Sequence, residues 1–71
     1  MNQINPRKLE LSKWTAVQPI NSEKQFLVTE VEFDDKGTVM LCILQAVTTK
    51  REASIDWHDL KEPSQWRQGW G

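Results

Sequence analysis

The chain has 71 residues, 38% hydrophobic and 27% charged, with a formal net charge of −1. That length holds one domain at most, and a domain so small buries only roughly 60% of its unfolded surface, which leaves a thin stability margin. The near-neutral balance excludes a general polyanion binder, which would be clearly basic, while leaving a local basic patch open.

Residues 1–8 lack periodicity, contain Pro6 and read as a flexible N-terminal arm, with residues 9–71 as a single small β domain. The polar, proline-broken start is unlike a signal peptide, and the longest apolar run, 39–44, is far too short to span a bilayer. The default expectation is a cytoplasmic protein. Leu9 and Leu11 alternate with Glu10 and Ser12, as a strand start or an apolar tether onto the sheet. Residues 12–17 alternate and are β-prone, with Trp14, Ala16 and Gln18 on one face. Pro19 lacks a donor and predicts an edge strand here. Residues 21–25 read as a polar connection, a helical turn begun by Asn21 or Ser22.

Residues 26–49 read as one long hairpin. Gly37 suits a left-handed position after a type I turn, so Asp35-Lys36-Gly37 form the loop and Phe33 faces Val39. Unbroken alternation then pairs Val31 with Leu41 and Thr29 with Ile43. One face becomes Leu27, Thr29, Val31, Phe33, Val39, Leu41, Ile43 and Val47, nearly all apolar. The other is acidic near the turn, at Glu30 and Glu32, and apolar at Phe26, Val28, Leu44 and Ala46. A loop over residues 49–52 and a strand over 53–57 place Ile55 against Ala46 and Trp57 against Leu44. Residues 58–62 read as one helical turn, capped by Asp56 or Asp59 and ended by Pro63. Trp66 and Trp70 lie in the tail, with Gly69 supplying freedom before Trp70.

The expected fold is mainly β: a four-stranded antiparallel meander with a short helical turn and a tryptophan-rich tail. Closure into a small SH3-like barrel through a fifth strand at 66–70 is the alternative.

Few residues invite chemistry. Cys42, mid-strand with Glu30 as expected cross-strand neighbour, reads as buried and inert, and cannot form an internal disulfide because it stands alone. His58, the only histidine, lies near Asp56 and Asp59 and reads as a surface group. One His, one Cys and scattered acids supply no recognisable metal-ligand set, and no cofactor is expected. Trp14 and Trp57 read as core. The candidate contact residues are Lys13, Lys50, Arg51, Arg67, Trp66 and Trp70. Cations interleaved with aromatics can hold single strands by stacking, and exposed tryptophan also anchors protein partners.

The pieces Ser12-Lys13-Trp14-Thr15-Ala16-Val17, Val28-Thr29-Glu30-Val31-Glu32-Phe33, Thr49-Lys50-Arg51-Glu52, Ile55-Asp56-Trp57, Leu60-Lys61 and Trp66-Arg67-Gln68-Gly69-Trp70 resemble the small tryptophan-rich bacterial proteins of the DUF2389 family. The resemblance runs from about Lys8 to Trp70, and departs at Leu11, where a glycine is expected, and at Ala53, where an aromatic often follows Arg-Glu. It implies a bacterial cytoplasmic protein of one domain, with no activity and no functional residue to carry over. The expected function is a non-enzymatic interaction or accessory module with a macromolecular partner, protein ahead of RNA. The alternative is a single-stranded RNA binder using Trp stacking and a Lys/Arg patch.

Overall fold

The computed structural model describes residues 1–20 and 22–70. A 3-10 turn η1 (Pro6–Lys8) precedes strands β1 (Lys13–Ile20), β2 (Glu23–Phe33), β3 (Val39–Ala46) and β4 (Glu52–Ser54). A second 3-10 turn η2 (Trp57–Lys61) leads to β5 (Trp66–Gln68). All five strands form one antiparallel sheet in the order β4-β3-β2-β1-β5. The meander is as expected, and the fifth strand is present. It lies beside β1, at the edge opposite β4, so the sheet stays open.

The hairpin tip follows the sequence reading. Asp34 N–H donates to Thr38 O at 2.9 Å, Gly37 takes φ 81°, and Phe33 pairs with Val39. The Asp34 carboxylate also accepts from the Lys36 and Thr38 N–H groups. Beyond the tip the register changes twice. Shifts lie between Glu32 and Phe33 and between Val28 and Glu30; between them Val31 pairs with Cys42 and Glu30 with Ile43, and beyond the second the expected register returns, with Val28 on Leu44 and Phe26 on Ala46. The expected pairs Val31–Leu41 and Thr29–Ile43 are therefore replaced. An extra residue on one strand turns the following side chains over until an extra residue on the other restores them, which pattern reading alone does not register. The expected apolar face is split by this. Val31 and Val39 turn toward the core, whereas Leu27, Leu41 and Ile43 stay half-buried.

Other boundaries move for similar reasons. β1 is interior, between β2 and β5, and not an edge. Pro19 is tolerated because β5 pairs only with Trp14, Thr15 and Ala16, while the β1–β2 register is irregular between Thr15 and Ile20. Residues 23–25 are strand, not helical turn; the cap expected at Asn21 lies outside the described residues. β4 is shorter than expected and pairs Ala53 with Leu44 and Glu52 with Gln45, because the preceding loop closes earlier, through Lys50 N–H to Ala46 O at 2.8 Å. Ile55 and Trp57 lie beyond β4 and still pack on the core.

The core is Leu9, Trp14, Val28, Cys42, Leu44 and Leu60, all on one side of the sheet. Leu9 is 1% exposed and acts as the apolar tether, whereas Leu11 points outward. Leu60, fully buried, is set by η2, whose first turn is capped by the Asp56 carboxylate accepting from His58 N–H. Trp14 is 2% exposed, and its indole N–H donates to Ser12 Oγ at 2.8 Å, so the ring is buried without an orphan donor. Residues 1–8 lie along β5 and η2: Asn2 N–H donates to Lys61 O, the Asn2 amide to Leu60 O and Trp66 O, and the Gln68 amide to Gln3 O.

Candidate functional site

A groove of about 560 Å³ opens where β1 departs from regular pairing. Ala16, Ile20, Phe26 and Trp66 supply its apolar lining, and Glu23 and Arg51 its charged end. Its shape follows from the chain. β5 reaches β1 only as far as Ala16, and Val17 N–H donates to Gln65 O at 2.9 Å in the turn before β5. That turn is closed by Gln65 N–H and Trp66 N–H donating to Glu62 O. Trp66 is thereby held opposite Ala16, its ring edge-on to Phe26 at 5.1 Å between centroids and 87° between planes. That is the preferred T-shaped geometry, with the positive edge of one ring against the negative face of the other. Both rings are only half-buried, and Ile20 is 73% exposed.

The charged end is fixed. Glu23 begins β2 with its side chain 3% exposed. Its carboxylate accepts from Arg51 Nε at 3.2 Å, from the Arg51 terminal nitrogen, and from Thr49 Oγ1 at 2.6 Å. The Arg51 guanidinium, and after it the Thr49 hydroxyl, hold the Glu23 carboxyl below the usual value, while Glu23 raises Arg51. A buried carboxylate with this many donors stays ionised and satisfied. Lys50 lies next to Arg51 on the exposed loop, with φ 63°.

The six candidate contact residues thus fall into two groups. Arg51 and Trp66 line the groove, with Lys50 adjoining Arg51. Lys13, Arg67 and Trp70 gather elsewhere: Arg67 is paired with Thr15 in the β5–β1 ladder, and Lys13 Nζ lies 4.9 Å from the Trp70 ring centroid. Trp70 is half-buried, turned back by Gly69 at φ 83°, and its indole N–H donates to Phe26 O at 2.8 Å. The charge of Arg51 is committed to Glu23 and that of Lys13 lies over an indole face, so these cations form no single track with the tryptophans. Sequence reasoning missed Glu23 and Phe26. Glu23 sits 28 positions from Arg51, and no local pattern reports that pairing.

The remaining reactive groups lie apart. Cys42 is 1% exposed in mid-sheet, and burial pushes its thiol pKa up; its cross-strand partner is Val31, not the expected Glu30. His58 Nδ1 meets Asp56 Oδ1 at 2.8 Å at the exposed start of η2, beside Trp57 at 4.2 Å between rings. The His58 N–H, then its ring, lowers the Asp56 pKa. Trp57 is half-buried on the core, with Lys61 Nζ 4.8 Å from its centroid. Among the described residues no three His, Cys, Asp or Glu side chains gather as a metal site, and no helix is long and apolar enough to cross a membrane.

No curated protein and no solved structure matches this chain. The family model for "Tryptophan-rich protein (DUF2389)" matches residues 12–71. That span takes in all five strands and every residue of the groove. The chain belongs to the DUF2389 family of tryptophan-rich proteins.

Proposed function

We propose that this protein is a non-enzymatic interaction module of the bacterial cytoplasm, and that the groove between β1, β2 and the Trp66 turn receives an apolar side chain of a protein partner. The observation that carries this reading is the Phe26–Trp66 pair, held in fixed geometry yet left half-open beside the exposed Ile20. Rigid aromatic rings present large contact area at little entropic cost, which is why such residues dominate the energetics of interfaces. The Glu23–Arg51 pair gives the groove a polar end that is already internally compensated. A protein partner is preferred to single-stranded RNA because Arg51 and Lys13 are engaged within the chain.

Ile20→Asp tests this. The side chain is 73% exposed, so the fold should survive, as judged by an unchanged tryptophan emission spectrum and melting curve. Capture from bacterial lysate should then lose specific proteins retained by wild type and by a control at the distant hairpin tip, Lys36→Glu. If Ile20→Asp and wild type recover the same proteins, the groove is not the docking surface.

A further inference from the structure

Strand β5 is three residues long, lies at the edge of the sheet and is paired only with β1. Val17 N–H donates to Gln65 O and Gly69 N–H to Lys13 O, so Gln65 and Gly69 turn their backbone groups toward β1 and Trp66 O points outward. Residues 1–5 lie across that outer edge. Asn2 and Ile4 are half-buried, whereas Met1, Gln3 and Asn5 are exposed, so every second side chain faces in. Ile4 packs on the core. Asn2 does most of the joining. Its side-chain amide donates to Leu60 O at 2.9 Å and to Trp66 O at 2.8 Å, which uses both donors. Its backbone N–H donates to Lys61 O at 2.8 Å. A helical turn leaves its last carbonyls without partners of its own, and Leu60 and Lys61 are the last two residues of η2. Asn2 thus caps η2 from 58 positions away and ties it to β5. Gln3 O adds a further link, accepting from the Gln68 amide at 2.7 Å.

We propose that residues 1–5 are a releasable strap, whose docking through Asn2 positions the Trp66 wall of the groove. The consequence for binding rests on the groove as docking surface: the strapped state is then the one that receives a partner's side chain. Release is a local event. It gives up the hydrogen bonds of Asn2 and Gln3 and the packing of Ile4, and leaves the β2–β3 pairing untouched. A segment with so few buried contacts opens far more readily than the whole domain unfolds. Met1 is 87% exposed, so the free end of the strap is at the surface, where a binder or a modification of the N-terminus can lift it. Asn2 is a positioning residue and acts by donating. Aspartate has the same shape but offers no donor when ionised, and it sets a negative charge against the carbonyl end of η2.

The test uses the full chain, labelled for amide exchange and microsecond-to-millisecond relaxation dispersion. In the wild type, Asn2, residues 60–62 and residues 66–68 should share one opening process. Asn2→Asp should raise the open population by about tenfold or more and shift the Trp66 indole N–H resonance. Asn2→Ala should act in the same direction and less strongly. Exchange at Val28, Cys42 and Leu44 should stay as in wild type. Val31→Ala, a core change away from the strap, should instead speed exchange in β2 and β3 without moving the Trp66 resonance. The proposal is overturned if Asn2→Asp leaves Trp66 and its opening unchanged, if it speeds exchange uniformly, or if it is milder than Asn2→Ala. None of these readouts needs a partner, so the two readings fail separately. Loss of captured proteins in Ile20→Asp, with Trp66 unmoved by Asn2→Asp, keeps the groove and overturns the strap. The opposite pair of results keeps the strap and overturns the groove as docking surface.

Discussion

Leu11 occupies a backbone conformation that suits glycine. Its φ is 65°, and it is the third residue of the turn Leu9-Glu10-Leu11-Ser12, closed by Ser12 N–H to Leu9 O at 3.1 Å. Glu10 does not share the positive φ, so the turn is of the type II kind, which favours glycine at this position. This is also where the resemblance to the family expects glycine. The comparison of Leu11→Gly with Leu11→Ala isolates the backbone, because both lose the side chain, which is 66% exposed. A left-handed residue bearing a Cβ costs about 1–2 kcal/mol. The greater freedom of glycine in the unfolded chain takes back about 0.5–1 kcal/mol. Leu11→Gly should therefore exceed Leu11→Ala by about 0.5–1 kcal/mol, or about 3–6 °C in melting temperature for a domain this small. Urea unfolding followed by tryptophan emission reads this directly. Equal stability of the two variants, or a more stable alanine, would refute the strain argument at this turn.

Leu60→Ala should cost about 2–5 kcal/mol, as for a fully buried leucine, and is read as a large drop in the urea midpoint; a loss under about 1 kcal/mol would mean that η2 is not a core element. Acid should destabilise the fold through Glu23. Its folded pKa is depressed, so the stabilisation is present above the ordinary value of 4.5 and is lost as pH falls through the folded value. Glu23→Gln should flatten that part of the stability–pH curve, and an unchanged acid limb would count against the Arg51 pair; Asp56, lowered by His58, contributes in the same direction. Cys42 should resist alkylation in native buffer at neutral pH and react on adding denaturant. Rapid native labelling would show that β3 opens locally.

Much of the strand plan was legible from the amino acids. The turn at Asp35-Lys36-Gly37 and the pairing of Phe33 with Val39 follow from one glycine and two flanking apolar runs. Of the two acids the sequence offers as cap, Asp56 and Asp59, it is Asp56 that caps, because the turn starts one residue earlier than expected, at Trp57. What the alternation could not show is where it is interrupted. The shifts near Met40 and Thr29 contain no proline or glycine to mark them, yet the first decides that Val31, rather than Glu30, faces Cys42, and the second returns Val28 to Leu44. The interior position of β1 was hidden because a proline at its far end mimics an edge signal, while its partner is a strand of three residues from the tail. In the candidate site, Arg51 and Trp66 stood out by residue type. Glu23 and Phe26 did not, since a groove built from three separated segments has no local signature.

The β1–β5 ladder has a kinetic consequence. Thr15 Oγ1 donates to Gly69 O across 54 positions of sequence, and Lys13 O accepts from Gly69 N–H in the same closure. The β2–β3 hairpin, by contrast, closes a loop of a few residues. Loop-closure entropy favours the short-range pairing first, and the long-range one is completed late. The tail is thus the latch of the folding reaction. Its release opens only the β5 edge, and with it the wall that Trp66 supplies to the groove, so amide exchange at Trp66, Arg67 and Gln68 should report a lower-energy opening than exchange in β2 and β3. A partner seated against Trp66 would hold that latch closed, coupling occupancy of the groove to the lifetime of the fold.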